Sequence, residues 1–164
     1  MNETELNLDA DLSTEQSPTL LPPLPFPCNV KALNQLRRRW VLNGYMLFKL
    51  PLARFAGLRI RELSPHRCVC SIPYGWRSTN PFQSIYFAAQ AMAAEMSTGS
   101  LALLATRSAP ASVSMLVTGM EASFSKKASS ETRFTCIEGH LIFDAVQQCI
   151  ESGEGQRVRV ETVG

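Results

Sequence analysis

The longest apolar stretch of the chain runs from Pro81 to Ala105, and Glu95 is its only charged residue. Its many Ala, Leu, Met and Gln residues favour a helix. Apolar side chains around most of the circumference are typical of a helix that is buried on nearly all sides. Interspersed Gln, Ser and Thr residues exclude a membrane span. The pattern therefore predicts a long buried helix with Pro81 in its first turn.

Glu95 shares a face of this predicted helix with small residues only. At about 100° per residue, those residues are Ser84, Ala88, Ala91, Thr98, Gly99 and Ala102. Two interpretations are open. Either the small residues let another element pack closely, or the carboxylate belongs to a functional site. The second follows because an unpaired carboxylate in apolar surroundings is costly, and such groups concentrate where chemistry occurs.

Apolar periodicity also predicts the elements on either side of this helix. Asn29 is placed to cap a helix over residues 29–50, and a second, shorter helix is expected at residues 138–152. Alternating or continuous apolar runs predict strands at residues 57–63, 67–74, 112–125, 132–137 and 157–163. One antiparallel sheet around one central helix, an α+β arrangement, is the simplest way to bury these faces.

Composition indicates one globular domain of 164 residues, with 45% apolar and 18% charged residues. Residues 1–28 carry five acids and no Lys or Arg, and several prolines lie between residues 18 and 27. This segment is predicted to be a disordered tail, either a plain linker or a polyproline II docking segment. The domain is therefore expected to span residues 29–164.

Residues 29–164 hold 16 bases and 9 acids. This excess suits an anionic ligand, although a solvated surface explains it equally well. Arg37, Arg38 and Arg39 would spread over about 200° of a helix without aromatic interleaving, which favours a solvated face over nucleic-acid binding.

The cysteines are odd in number and include no CxxC pair. Without a signal peptide ahead of them, the five thiols are expected to be reduced, in a cytoplasmic protein. Cys68 and Cys70 would share one face of a strand, but His66 and His140 do not complete a standard metal spacing. We therefore expect buried core thiols and neither a metal nor a redox cofactor.

The order of elements and several motifs resemble the hotdog fold, in which a curved antiparallel sheet wraps around one long central helix. The similarity is strongest to a thioesterase-like hotdog family of unknown function and covers about residues 29–164. It is carried by a tryptophan helix, a glycine before the first strand, a long loop-helix segment, an SKKA motif and a late FTC…G segment. These correspond to Trp40, Gly57, and residues 77–99, 125–128 and 134–139.

Related phenylacetyl-CoA-type thioesterases open the helix loop with Asn, continue with His-Gly-Gly and place an acid fifteen residues after the Asn. The resemblance implies that Asn80 and Glu95 occupy the first and last of these positions, with Gln83 between them. Tyr86, Phe87 and Ala88 replace His-Gly-Gly. This departure narrows the approach of a ligand carbonyl to backbone N–H groups.

Two functions follow from the resemblance. In the first, an acyl-CoA thioesterase uses backbone N–H groups around residues 85–88 to polarise the thioester carbonyl and Glu95 as general base or nucleophile. In the second, a non-catalytic hotdog domain binds an acyl or lipid-like group or serves in assembly. The expected catalytic residues are Glu95, Asn80 and Gln83, and the expected substrate-binding residues are Ser84, Tyr86, Phe87, Ala88, Thr98, Lys126 and Lys127.

Lys126 and Lys127 are candidates for the CoA phosphates, or they simply end a strand in solvent. Coenzyme A would enter as part of the substrate. Hotdog sites usually form between subunits, so the resemblance also implies a homodimer or higher oligomer. The resemblance further leads us to expect another strand after Gly164, and without that strand a sheet edge would be exposed. Two interpretations are open: the chain is truncated, or a neighbouring subunit covers the edge.

Overall fold

A computed structural model of the protein describes residues 21–164. The predicted tail lies outside the described residues up to residue 20, and residues 21–29 contain no helix or strand. Phe26 of this segment is buried against the ring of Phe143, with 5.1 Å between the ring centroids. The elements are helices α1 (Val30–Arg37), α2 (Arg39–Lys49), α3 (Pro51–Ala56), α4 (Phe87–Ser108) and α5 (Gly139–Ser152), and strands β1 (Arg59–Leu63), β2 (Cys68–Ile72) and β3 (Thr132–Cys136).

The helix predicted over residues 29–50 is interrupted. Asn29 caps α1 as expected, because its Oδ1 accepts a hydrogen bond of 3.0 Å from the Ala32 N–H. Arg38 then adopts an extended conformation and separates α1 from α2. Leu50 precedes a proline, which disfavours helical backbone, and Pro51 begins α3.

The described sheet has three antiparallel strands in the order β1-β2-β3. The central strand β2 is buried along its whole length. Cys68, Cys70 and Ile72 belong to the main core cluster, on the face of β2 that alternation predicts. Across the sheet, Cys68 pairs in register with Cys136 of β3.

Helix α4 packs against all three strands and against α5. Its buried side chains are Ala89, Ala93, Met96, Ser97, Ser100, Leu101, Leu104 and Ala105. At helical spacing these residues cover one side of α4, opposite Glu95. The expectation of a helix buried on nearly all sides is therefore wrong for the strip that carries Glu95, which lies on the outer side of α4.

Two predicted strands are not formed. Residues 112–125 are mostly exposed and contain no strand within the described chain. Residues 157–163 contribute only an isolated antiparallel bridge between Val163 and Thr135. Arg159 reaches Glu121 at 2.7 Å, so the two segments approach each other without a hydrogen-bonded ladder. Both segments have an alternating β-pattern, but within residues 21–164 neither pairs with a neighbouring strand beyond this single bridge.

All five cysteines are free thiols, as expected, and Cys68, Cys70 and Cys136 are fully buried. The Sγ atoms of Cys68 and Cys70 lie 3.8 Å apart. The contact with Cys68 and burial raise the pKa of the Cys70 thiol, which keeps it protonated.

Within residues 21–164, none of the helices is long and apolar enough to cross a membrane.

Candidate functional site

An open groove of about 570 Å³ lies at the N-terminal end of α4. It is lined by residues 80–82, 84–87, 90 and 124–128. The sequence-predicted site residues that the structure brings together in this groove are Asn80, Ser84, Tyr86, Phe87, Lys126 and Lys127. Gln83, Ala88, Glu95 and Thr98 do not line it.

Asn80 organises the loop that precedes the helix. Its Oδ1 accepts hydrogen bonds from the N–H groups of Phe82 and Ser84, at 3.0 and 3.2 Å, and lies 3.3 Å from the Ser84 hydroxyl. A side chain of this kind mimics a backbone turn. Gln83 adopts a left-handed backbone conformation with φ of 57° inside the turn. The turn delays the start of α4, so the predicted place of Pro81 in the first helical turn is wrong.

The backbone N–H groups at the start of α4 fall into two pairs. Ile85 donates to the carbonyl oxygen of Ala128 at 2.8 Å, and Tyr86 donates to that of Ser78 at 2.7 Å. These two N–H groups are therefore occupied. The next two belong to Phe87 and Ala88, and they have no acceptor among residues 21–164. Unpaired N–H groups at a helix N-terminus favour a negatively charged or partly charged oxygen.

No side-chain cap covers these free N–H groups. The rings of Tyr86 and Phe87 meet edge to face with centroids 5.0 Å apart, and both side chains are about half exposed beside the groove. They form an apolar rim around the first turn. The access to the free N–H groups is narrower than it would be with glycines in place of Phe87 and Ala88, but it is not closed.

Lys126 and Lys127 bring positive charge to the same groove. Both line it together with Phe124 and Ser125, in a segment that follows the unpaired residues 112–125. Among the described residues, neither lysine forms a salt bridge. The two ammonium groups are thus available to an anionic group of a ligand.

Glu95 lies farther along α4, on the outer side of the helix. Its side chain is exposed in the single chain, and its carboxylate lies over Gly99, where Oε1 is 2.7 Å from the position that a Cβ would occupy. Desolvation of the carboxylate raises the pKa of Glu95 above the ordinary glutamate value. The absence of a side chain at Gly99 is what lets the carboxylate rest there.

The carboxylate and the free N–H groups are well separated along one helix. Phe87 and Glu95 are eight residues apart, which corresponds to about 12 Å at roughly 1.5 Å per residue. One thioester carbon could not be within reach of both groups of the same chain. The structure therefore places the predicted carboxylate and the predicted oxyanion-binding N–H groups in two different locations.

The sequence did not reveal the two carbonyl groups that decide which N–H groups at the start of α4 remain free. The Ala128 and Ser78 carbonyl oxygens occupy two of the four N–H groups that the sequence offered for oxyanion binding. The resemblance singled out the SKKA motif, which ends at Ala128, but only the fold shows that its backbone contacts the helix start. Among residues 21–164 there is no group of three or more His, Cys, Asp or Glu side chains able to hold a metal ion.

Comparison with solved structures identifies the fold. A protein of unknown function from Chlorobaculum tepidum TLS superimposes with a TM-score of 0.64 and 18% identity, over 74% of this chain and 74% of that one. A protein of unknown function from Pseudomonas aeruginosa, described as a probable thioesterase, gives a TM-score of 0.59 and 19% identity over 84% of both chains. The architecture is confirmed as an α+β hotdog fold.

A match between the sequence and a family model shows which family the chain belongs to. The family described as a domain of unknown function, DUF4442, matches residues 38–162, which is most of the chain. The chain belongs to this family. No match was found among curated proteins.

Proposed function

We propose that this protein is an acyl-CoA thioesterase that acts as a homodimer. Water would attack the thioester carbon, the C–S bond would break, and a carboxylic acid and the coenzyme A thiol would leave. The observation that carries the proposal is the pair of unoccupied N–H groups at Phe87 and Ala88, at the helix start beside a groove that is lined by Phe87, Lys126 and Lys127. A polarised carbonyl oxygen and an anionic phosphate are the two features of an acyl-CoA that such a groove would recognise.

The two N–H groups support a role in binding the oxyanion. They are the first two donors of a helix of 22 residues, so the helix dipole favours negative charge at the same point. Removing one such donor in other enzymes typically lowers the rate by about 10²–10³. Asn80 and Ser84 fix the preceding turn and thereby the direction of these donors.

Glu95 is proposed to take the proton from the attacking water or to attack the carbonyl itself. A raised pKa brings a carboxylate closer to the range in which it accepts protons effectively. Thr98 and the small residues on the same face leave room beside it. Gln83, which precedes the helix in a strained conformation, is proposed to orient substrate or water.

The 12 Å separation supports a site built from two copies of the chain. In a two-fold symmetric dimer with α4 helices packed antiparallel, Glu95 of one copy would approach Phe87 and Ala88 of the other. The outer side of α4, with Ala88, Ala91 and Gly99, is only partly buried and carries no bulky residue. A partner would also cover the exposed apolar side chains of the unpaired segment, which are Met115, Leu116, Val117, Met120 and Phe124.

The proposed reaction requires no metal or redox cofactor, and coenzyme A enters as part of the substrate. Free thiols suit a reducing compartment, which supports a cytoplasmic site of action.

A second candidate function is acyl binding without hydrolysis. The observation that favours it is the aromatic rim of Tyr86 and Phe87, which stands where the related thioesterases have His-Gly. In this case the groove would hold an acyl group but would keep its carbonyl away from the free N–H groups.

A panel of acyl-CoAs of different chain lengths and head groups tests the choice. Thiol release by the parent protein, reduced by about 10²-fold or more in Glu95→Gln, is expected for the enzyme. Thermal stabilisation by an acyl-CoA without thiol release would support the binding domain instead. Glu62→Gln is the matched control, because Glu62 is an exposed glutamate of β1 outside the groove.

A further inference from the structure

Helix α2 has a second apolar face that the described chain does not cover. Met46 lies on its inner side and is 2% exposed. On the opposite side, Trp40, Leu47 and Phe48 are 73%, 56% and 82% exposed. Their spacing of seven and eight residues places them on one face of the helix. An exposed stripe of this kind on a soluble helix marks an interaction surface.

Further apolar side chains are exposed in the next helix, α3, and in the loop after β2. Leu52 and Phe55 of α3 are exposed, and Phe55 packs edge to face on Trp76 with 5.9 Å between centroids. The guanidinium of Arg77 lies 6.0 Å from the Phe55 ring and 5.9 Å from the Trp76 ring. We define the α2–α3 surface as Trp40, Leu47, Phe48, Leu52, Phe55 and Trp76.

The charges around this surface have one sign. Residues 16–61 contain eight Lys and Arg residues and no Asp or Glu. Lys49, Arg54 and Arg77 are exposed next to the apolar side chains, and none of the three forms a salt bridge with another described residue. Aromatic and Leu side chains flanked by Lys and Arg, without acids, are typical of helices that lie at an anionic lipid surface.

A second copy of this chain is a poor occupant for the surface. A two-fold contact through α2 would bring the same cationic segment of two chains together, and juxtaposed like charges are unfavourable. We propose instead that the α2–α3 surface docks on an anionic lipid bilayer. The apolar side chains would enter the headgroup boundary, while Lys49, Arg54 and Arg77 would contact lipid phosphates. The chain would lie on the bilayer and would not cross it.

Tryptophan fluorescence reports on this surface alone, because the chain has two tryptophans and both belong to it. The full-length protein is mixed with phosphatidylcholine vesicles that contain or lack phosphatidylglycerol. We expect a blue shift of the emission and co-sedimentation with the anionic vesicles, weakened by added salt. An unchanged emission with both vesicles, or equal binding to both, would overturn the proposal.

Matched variants separate docking from general effects. Phe48→Ser is compared with Ile137→Ser, which removes an exposed apolar side chain that is not part of the α2–α3 surface. Lys49→Glu is compared with Arg157→Glu, which reverses the charge of an exposed basic residue that is also not part of this surface. We expect Phe48→Ser and Lys49→Glu each to weaken vesicle binding by about fivefold or more, and the controls to bind like the parent. Equal losses in variant and control would refute the surface. A Phe48→Ser change that instead lowers the oligomeric state would show a contact between copies and also overturn the proposal.

Discussion

Replacing Gly99 by Ala is expected to raise stability and lower activity at the same time. Gly99 lies within α4 without a left-handed backbone, so alanine fits the helix and stabilises it by about 1 kcal/mol. For a chain of this size, that gain corresponds to a rise in Tm of about 2–4 °C.

Under the proposed mechanism, activity is expected to fall because the new Cβ meets the carboxylate. Oε1 of Glu95 is 2.7 Å from the Cβ position, and ordinary contact begins at 3.4 Å, so the carboxylate must move by roughly 0.7 Å. The long side chain can move at little energetic cost, but a shift of this size at a catalytic group can lower the rate by about tenfold or more.

Gly44→Ala is the matched control. Gly44 lies inside α2, and a Cβ there meets nothing within 4 Å. It should raise Tm similarly and leave thiol release from acyl-CoA unchanged. Differential scanning fluorimetry and a thiol-release assay on both variants measure the two effects. If Gly99→Ala is stabilised and keeps the parent rate, the observed position of the Glu95 carboxylate is not its working position.

Three further predictions concern the same site. Because desolvation raises the pKa of Glu95, kcat/KM should rise with pH through a value above the ordinary glutamate range, and Glu95→Gln should lack this limb in the pH–rate profile. Because the pKa of Glu95 is higher in the folded than in the unfolded state, Glu95 contributes to the stability of the fold at low pH. This contribution to stability is lost as pH rises through the folded-state pKa. Asn80→Ala should destabilise the protein by about 1–2 kcal/mol in urea denaturation by removing the turn acceptor, whereas Asn80→Asp, which keeps an acceptor, should lose less. Replacing Lys126 and Lys127 together by Gln should raise KM for acyl-CoA about tenfold at unchanged kcat, and an equal rise for a thioester of N-acetylcysteamine, which has no phosphates, would contradict their phosphate role.

The sequence predicted those parts of the fold that depend on local pattern. The strands β1 to β3 and helix α5 lie within a few residues of their expected bounds. The start of α4 was misplaced, because the Asn80 turn competes with helix formation at Pro81. The break at Arg38 has no Gly or Pro to signal it, and its cause is not visible in the sequence.

The parts that could not be predicted depend on distant contacts. Residues 112–125 and 157–163 have strand-like patterns, but a strand forms only where a paired neighbour is present. The sequence indicated Glu95 from the small residues around it and could not show that this strip faces outward. It offered four N–H groups at the helix start, and only the fold shows that Ala128 and Ser78 occupy two of them.

The central claim is that Glu95 of one copy works with the first-turn N–H groups of another, and subunit mixing tests it most directly. Phe87→Pro removes one N–H at a position where proline fits the helix start, and Phe87→Ala is its control because it removes only the ring. Glu95→Gln and Phe87→Pro chains are each expected to be nearly inactive alone.

When the two variants are mixed and allowed to exchange, half of the dimers should contain one chain of each kind. Each mixed dimer has one site with an intact carboxylate and intact N–H groups, so about a quarter of the parent acyl-CoA hydrolysis should return. Activity that stays at the level of the separate variants, although mixed dimers are present, would contradict the account.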